Sequence, residues 1–276
     1  MELYQAIILG IVQGLAEFLP VSSSGHLVLF QNFFGFEEPE LLFDVCLHVG
    51  TLVAVCAVFY REILSILGTL IKTPALLRSS GGIRPLFAEN EDIRLAVLIV
   101  AGSVPTAVLG LLFHRMAEQI FGAVWIVGVM LLITGTLLWL TRLKKGTGRS
   151  IEGMTLPDAL IIGLIQGMAI LPGISRSGST ISVALFLGID RELAGRYSFL
   201  LSIPAILGAL VLNLDPSAAQ TTIPVTTIIT GAVFAGVVGY AALVVLLRLV
   251  KNGKLYRFSP YCWLLGVGAL GWSFMG

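Results

Sequence analysis

Residues Gln5–His26 read QAIILGIVQGLAEFLPVSSSGH, and this text recurs at Asp158–Ser179 as DALIIGLIQGMAILPGISRSGS. Nine of the twenty-two positions are identical, at a constant offset and without a gap. Each copy begins as an apolar helix with small residues, breaks at Pro and Gly, and resumes at a Ser-x-Ser-Gly turn. The copies differ at positions whose side chains could bind or react. The first copy has Glu17, Ser23 and His26, and the second has Ile170, Arg176 and Ser179. We therefore expect the functional site where the two copies meet.

The composition is typical of a polytopic helical membrane protein. Of the 276 residues, 57% are hydrophobic and only 12% are charged, and the mean hydropathy is +0.96. A soluble core does not need so many apolar residues with so few charges. The net charge of +1 provides no basic surface for nucleic acid. Cys46, Cys56 and Cys262 lie in apolar runs without CxxC spacing, so we expect buried hydrophobic residues rather than a disulfide or metal site.

Broken and unbroken apolar runs predict different membrane elements. A shorter segment at 63–73 is predicted to lie at the interface. The two repeated stretches are interrupted by Pro, Gly and Ser, and exposed non-helical backbone is costly in lipid. We therefore predict two re-entrant hairpins, at 3–34 and 156–189, rather than four crossings. The unbroken runs, each long enough for a bilayer of about 30 Å, occupy about 42–60, 93–113, 120–141, 196–213, 224–248 and 257–275.

Charge orients the chain, because basic residues concentrate in three alternate connections that the positive-inside rule assigns to the cytoplasm. They are Arg61, Lys72, Arg78, Arg84 and Arg94, then Arg142, Lys144, Lys145 and Arg149, then Lys251, Lys254 and Arg257. When the membrane crossings are counted from these cytoplasmic connections, the first hairpin enters from outside and the second from inside. Three spans follow each hairpin. We predict one all-α polytopic membrane domain, 1–276, with an inverted-topology repeat. Repeat 1 is about 1–141 and repeat 2 is about 156–276, each a re-entrant helical hairpin plus three transmembrane helices.

The first hairpin carries an acid, an amide and a histidine. Gln13 and Glu17 are four residues apart and share one face of a helix. A lone carboxylate in an apolar stretch is costly unless it is paired, metal-bound or hydrated, so Glu17 with His26 nearby favours function. The alternative is a carboxylate at a helix end that reaches the interface. His48 and His114 lie beside apolar spans, and we interpret them as interfacial or structural.

The two helix breaks together predict a phosphate site. Hydroxyl groups can cap the helix that follows each break, and the free N–H groups of that helix attract anions. Arg176 lies among hydroxyls at the second break, and Arg suits bidentate binding of phosphate oxygens. The alternative is a structural ion pair with Glu17, and both can hold in the empty protein. A phosphorylated lipid fits this lipid-embedded chain better than a soluble substrate. The candidate phosphate-binding residues are Ser22, Ser24, Ser175, Ser177 and Thr180.

Both motifs also resemble a known family. Gln13–His26 is similar to the first signature of the undecaprenyl-pyrophosphate phosphatase family linked to bacitracin resistance, and Pro172–Thr180 is similar to the second. The similarity extends along the chain, including Phe43-Asp44 and Ser198–Leu201. The resemblance implies a multi-pass enzyme of the bacterial inner membrane with its active site facing the periplasm. Such an enzyme hydrolyses undecaprenyl pyrophosphate to undecaprenyl phosphate, the lipid carrier of cell-wall precursors.

The resemblance further implies which residues act. Glu17, Ser23, His26 and Arg176 are the expected catalytic residues, with Arg176 stabilising charge on the pyrophosphate. His26 is either the general base, acting on water or Ser23, or the nucleophile itself, and the sequence does not choose. A divalent cation, Mg²⁺ or Ca²⁺, is implied at Gln13 and Glu17. Because Gln13 takes a position that Glu can hold in the family, the cation has one carboxylate fewer here.

A carrier is the rival interpretation. Inverted repeats with broken helices are typical of secondary transporters, so the same residues could hold a polyprenyl-phosphate head group for transport or flipping. An acid and a histidine on one hairpin, opposite an arginine on the other, favour an enzyme. The expected partners are a polyprenyl pyrophosphate substrate and membrane lipid. The sequence leaves the oligomeric state open, with a homodimer as one option.

Overall fold

The computed structural model describes residues 1–36, 41–79, 82–114, 124–144, 146–213 and 223–275. This part of the chain is helical and contains no β-strand. Its α-helices are α1 (Leu3–Phe18), α2 (Ser23–Phe33), α3 (Leu41–Val58), α4 (Tyr60–Ser79), α5 (Ile83–Glu89), α6 (Glu91–His114), α7 (Val124–Leu140), α8 (Leu156–Met168), α9 (Arg176–Phe186), α10 (Arg191–Asn213), α11 (Val225–Lys251) and α12 (Ser259–Met275). Lys145 and the side chains of Arg78, Arg84 and His114 lie outside the described part.

Long apolar helices confirm a polytopic membrane protein. Among the described helices, α6, α7, α10 and α11 are long and apolar enough to span a bilayer. Helices α3 and α4 form one further candidate, bent by 79° at Phe59. The interfacial segment predicted at 63–73 lies within α4, beyond this bend. Val100, Leu264 and Phe274 are all more than half exposed, as expected for side chains that face lipid.

Helices α1–α2 and α8–α9 are the two broken elements. Helix α1 has 16 residues and α8 has 13, so at about 1.5 Å per residue both are shorter than a full span. The side chain of Ser22 caps α2 by accepting from the Gly25 N–H at 3.2 Å. Ser175 caps α9 in the same way, accepting from the Gly178 N–H at 3.1 Å. The predicted hydroxyl caps are therefore confirmed at both breaks.

Each broken helix packs on a helix from the other half of the chain. Helix α1 lies mainly against α11, and α8 lies mainly against α6. The first pair is closest at Gly10 and Gly231, and the second at Gly163 and Gly102. Glycines let two backbones approach where a side chain would hold them apart. Helices α3 and α11, α10 and α6, and α7 and α12 complete the packing.

Substituting Gly163 by alanine should destabilise the fold, because its Cβ would overlap the backbone carbonyl of Gly102. Overpacking of this kind costs roughly 1–3 kcal/mol, and here the neighbour is backbone, which cannot rotate away. Thermal unfolding in detergent measures the effect as a lower Tm. Gly268→Ala is the matched control, since a Cβ there has nothing within 4 Å. Equal Tm values for the two variants would contradict the close packing of α8 on α6.

Arg149 ties the two ends of the second hairpin together. Its guanidinium donates to both carboxylate oxygens of Asp158, at the start of α8, each at 3.0 Å. It also donates to the carbonyls of Gly153 and Leu187, each at 2.7 Å, and Leu187 directly follows α9. Arg149 therefore joins the start of α8 to the end of α9.

Candidate active site

Glu17, at the end of α1, is the centre of a buried polar cluster. It is 7% exposed. Its Oε1 accepts a hydrogen bond from Arg176 Nη2 at 2.5 Å, between residues 159 apart in the chain. Its Oε2 accepts from Ser23 Oγ at 2.7 Å and from Gln13 Nε2 at 3.1 Å. The structure thus brings together four of the predicted site residues, from both hairpins.

Local helix geometry positions each member of this cluster. Gln13 and Glu17 are one turn apart on α1, which explains their direct hydrogen bond. Ser23 and Arg176 are the first residues of α2 and α9, so both side chains stand at helix N-termini. The N-cap Ser22 has φ +70°, a conformation disfavoured for a residue with a Cβ. Such strain persists only where the surroundings enforce it, as at functional sites.

The predicted phosphate-binding hydroxyls mostly join one backbone segment to another. Ser22 Oγ also accepts from the Gly173 N–H at 3.0 Å, and Ser177 Oγ donates to the Phe18 carbonyl at 3.0 Å. Both contacts link the first break to the second. Ser175, Ser177 and Thr180 are at most 2% exposed, whereas Ser24 is half-buried, 3.4 Å from Ser22 Oγ. Ser22 and Ser177 thus link the two breaks, and contact of any of these hydroxyls with phosphate stays a prediction.

The ring of His26 makes its hydrogen bonds to Ser22 and Tyr261. Its Nδ1 is 2.8 Å from the Ser22 carbonyl, so this nitrogen donates and the neutral ring keeps its lone pair on Nε2. That Nε2 accepts from the hydroxyl of Tyr261, on α12, at 2.7 Å. Among the hydrogen bonds and ion pairs of the described residues, none joins His26 to Glu17 or Arg176. The proximity of Tyr261 was not predicted from the sequence.

His48 occupies a position that the sequence did not indicate. Its Nε2 lies 3.6 Å from Glu17 Oε2, and its side chain is 32% exposed. The interpretation of His48 as interfacial or structural stays a prediction, and the structure adds its contact with Glu17. No motif signals this, because His48 is on α3 and meets α1 only through helix packing.

Two buried polar atoms in the cluster lack partners. Nη1 of Arg176 is buried without an acceptor, and Oε1 of Gln13 is buried without a donor. Buried polar groups are normally satisfied, because leaving one unpaired costs about 1–3 kcal/mol. An anion beside Arg176 and a cation or donor beside Gln13 would satisfy both. The cluster therefore has one donor and one acceptor that are available to a ligand.

The side-chain oxygens of Gln13 and Glu17 suit a divalent cation whose remaining ligands come from the substrate and water. Among the described residues, no group of three or more His, Cys, Asp or Glu side chains could hold a metal alone. Glu17 and the free Oε1 of Gln13 are oxygen donors, the type that Mg²⁺ and Ca²⁺ prefer. Mg²⁺ is commonly held by one or two carboxylates, with water and substrate phosphate completing its shell. These residues therefore fit such a cation.

Comparison with known proteins identifies the family of this chain. Residues 6–268 match the family described as bacitracin resistance protein BacA. The chain belongs to the BacA family. An undecaprenyl-diphosphatase of Desulfatibacillum aliphaticivorans is 49% identical over 271 residues, covering 98% of each chain. The undecaprenyl-diphosphatase of Desulforapulum autotrophicum is 50% identical over 97% of each chain, and that of Treponema denticola is 45% identical over 100% of each. The BacA match spans both hairpins.

Proposed function

We propose that this chain is an integral-membrane phosphatase that hydrolyses undecaprenyl pyrophosphate to undecaprenyl phosphate and inorganic phosphate. Relatives with this activity in their names align over nearly the whole chain. The structural observation that best supports this function is the unpaired Nη1 of Arg176, which lies beside Glu17 and two helix N-termini. This arrangement binds a phosphate anion next to a carboxylate that can accept a proton. The carrier alternative is not favoured, because the relatives are named as hydrolases.

Glu17 is the proton acceptor that this geometry supports best. Ser23 Oγ already donates to Glu17 Oε2 at 2.7 Å, so the carboxylate can take the proton of Ser23 or of a water in its place. The attacking oxygen then bonds to the terminal phosphorus as the anhydride P–O bond breaks. Water as the nucleophile gives inorganic phosphate directly, whereas Ser23 gives a phosphoserine that a second water must hydrolyse to release it. Undecaprenyl phosphate leaves with the bridging oxygen. His26, whose ring nitrogens are occupied by Ser22 and Tyr261, contributes by supporting the first break.

Arg176 stabilises the charge that moves onto the phosphate oxygens. Its guanidinium holds Glu17 through Nη2, which leaves Nη1 for substrate. The ring of Phe199 lies 5.8 Å from its central carbon and covers one side. Gln13 and Glu17 would hold a divalent cation, Mg²⁺ or Ca²⁺, which neutralises pyrophosphate charge when bound.

We also propose the inverted-topology repeat, about 1–141 and 156–276, within one membrane domain. Its support is reciprocal packing: α1 on α11 matches α8 on α6. Thr134 on α7 donates to the Gly173 carbonyl, and Cys262 on α12 donates to the Pro20 carbonyl, at corresponding points of the two breaks. With the basic connections in the cytoplasm, the first hairpin enters from the periplasm, where we place the active site. The site lies within one chain and needs no homodimer.

Purified protein in detergent should release one phosphate per undecaprenyl pyrophosphate, because the site combines an anion clamp with a proton acceptor. Release is measured with Mg²⁺, with Ca²⁺ and with EDTA, and we expect EDTA to abolish it. Thin-layer chromatography of the lipid should show the monophosphate accumulating in step with phosphate. A protein that binds the lipid without cleaving it would favour the carrier instead.

A further inference from the structure

Two side chains that carry acceptor atoms, Gln13 on α1 and His48 on α3, approach Oε2 of Glu17. The candidate ligand atoms are Glu17 Oε2, Gln13 Oε1 and His48 Nε2. His48 Nε2 is 3.6 Å from Glu17 Oε2. The Gln13 amide donates to that same Oε2 through its nitrogen, and its own Oε1 is buried and unpartnered. Ser23 and Gln13 donate to Glu17 Oε2, but the buried Oε1 of Gln13 has no donor, and a cation beside it would satisfy it.

The ring of His48 is held in the tautomer that binds metal. Its Nδ1 is 2.8 Å from the backbone carbonyl of Asp44, one turn earlier on α3. A carbonyl only accepts, so Nδ1 carries the hydrogen and the neutral ring has its lone pair on Nε2. Metal-ligating histidines are typically oriented in this way, by a carbonyl or carboxylate that accepts from the other nitrogen.

A simple ion pair between His48 and Glu17 explains the arrangement less well. Their separation of 3.6 Å is longer than a hydrogen bond, whereas Arg176 already pairs with Glu17 at 2.5 Å. A divalent cation that enters together with an anionic pyrophosphate brings its own counter-charge. It also gives Gln13 Oε1 the partner that it lacks.

We propose that Nε2 of His48 is a ligand of the divalent cation, together with Glu17 and Gln13. This inference rests on the proposed phosphatase function, since the cation arrives with a pyrophosphate head group. The imidazole would then supply the third protein ligand at a site that has one carboxylate. Imidazole suits transition metals better than Ca²⁺ or Mg²⁺, so Mn²⁺ should bind this chain more tightly than either.

Pulsed EPR of bound Mn²⁺ tests the ligand directly, without turnover. The probe is Mn²⁺ with methylenediphosphonate, a pyrophosphate analogue that is not hydrolysed, added to the purified protein. We expect an imidazole nitrogen coupling that is lost in His48→Gln, with Mn²⁺ affinity lowered about tenfold or more. His26→Gln and His114→Gln, at the other two of the three histidines, should keep the coupling. His48→Glu should bind the cation without the nitrogen signal and shift preference toward Ca²⁺.

Several outcomes would overturn the inference. One is a coupling that persists in His48→Gln, and another is wild-type protein that binds Mn²⁺ without any nitrogen signal. Failure of wild-type protein to bind Mn²⁺ with the analogue would overturn it as well. A nitrogen coupling from His48 in a protein that releases no phosphate would contradict the phosphatase function and still support the cation site. The binding and turnover assays therefore separate the two proposals.

Discussion

Replacing Arg176 by lysine should lower kcat for phosphate release by roughly a thousandfold or more, the scale reported for arginines that stabilise phosphoryl transfer. The guanidinium holds Glu17 through Nη2 and leaves Nη1 for the substrate. Lysine carries the same charge but as a single point, so it cannot serve both partners with a fixed fork. Phosphate release from undecaprenyl pyrophosphate measures the loss. Tm should change little, since the charge that compensates Glu17 is retained.

Arg142→Lys provides the matched control for this substitution. Arg142 is exposed and lies over the ring of Trp139, at 3.8 Å from its centroid, away from the cluster. The control should keep the wild-type rate. A near-normal rate for Arg176→Lys would show that charge alone suffices and would remove the bidentate role. A loss in both variants would point to a general effect of arginine substitution.

Glu17→Gln should abolish turnover and destabilise the protein at the same time. The amide cannot accept the proton of Ser23 or of water, and it removes the one carboxylate of the cation site. It also leaves the buried Arg176 guanidinium without its counter-charge. Removing one partner of a buried ion pair lowers the free energy of unfolding by about 3–5 kcal/mol. Phosphate release and thermal unfolding in detergent measure the two effects on one sample.

The double variant Glu17→Gln/Arg176→Gln separates folding from catalysis. With both charges gone, no buried charge is left without a partner, so Tm should recover above that of Glu17→Gln. Activity should stay absent in the double variant, because both functional groups are missing. Purely additive losses in Tm would mean that Glu17 and Arg176 do not act as a pair. Activity in a more stable double variant would exclude the proposed roles of both residues.

The local sequence pattern was sufficient to predict the helices and caps on which the site residues lie. The repeated text predicted both helix breaks, and the Ser-rich turns predicted the caps at Ser22 and Ser175. The spacing of Gln13 and Glu17 predicted a shared face, and they are hydrogen bonded. The pairing of Arg176 with Glu17, weighed as an alternative to phosphate binding, is present in the structure. Helix periodicity and capping depend on neighbours in sequence, which is why they could be read there.

The sequence by itself determined a membrane-embedded all-α chain, its two broken helices and the polar residues that each break carries. Only the tertiary structure decided that His48 lies beside Glu17 and that Tyr261 occupies Nε2 of His26. Tyr261 is 235 residues from His26, and no periodicity links them. Which faces of α3 and α12 turn toward the hairpins depends on how close glycines let the backbones approach. Such packing depends on the fit between two helix surfaces that are far apart in the chain. The local sequence pattern of either helix does not specify its partner.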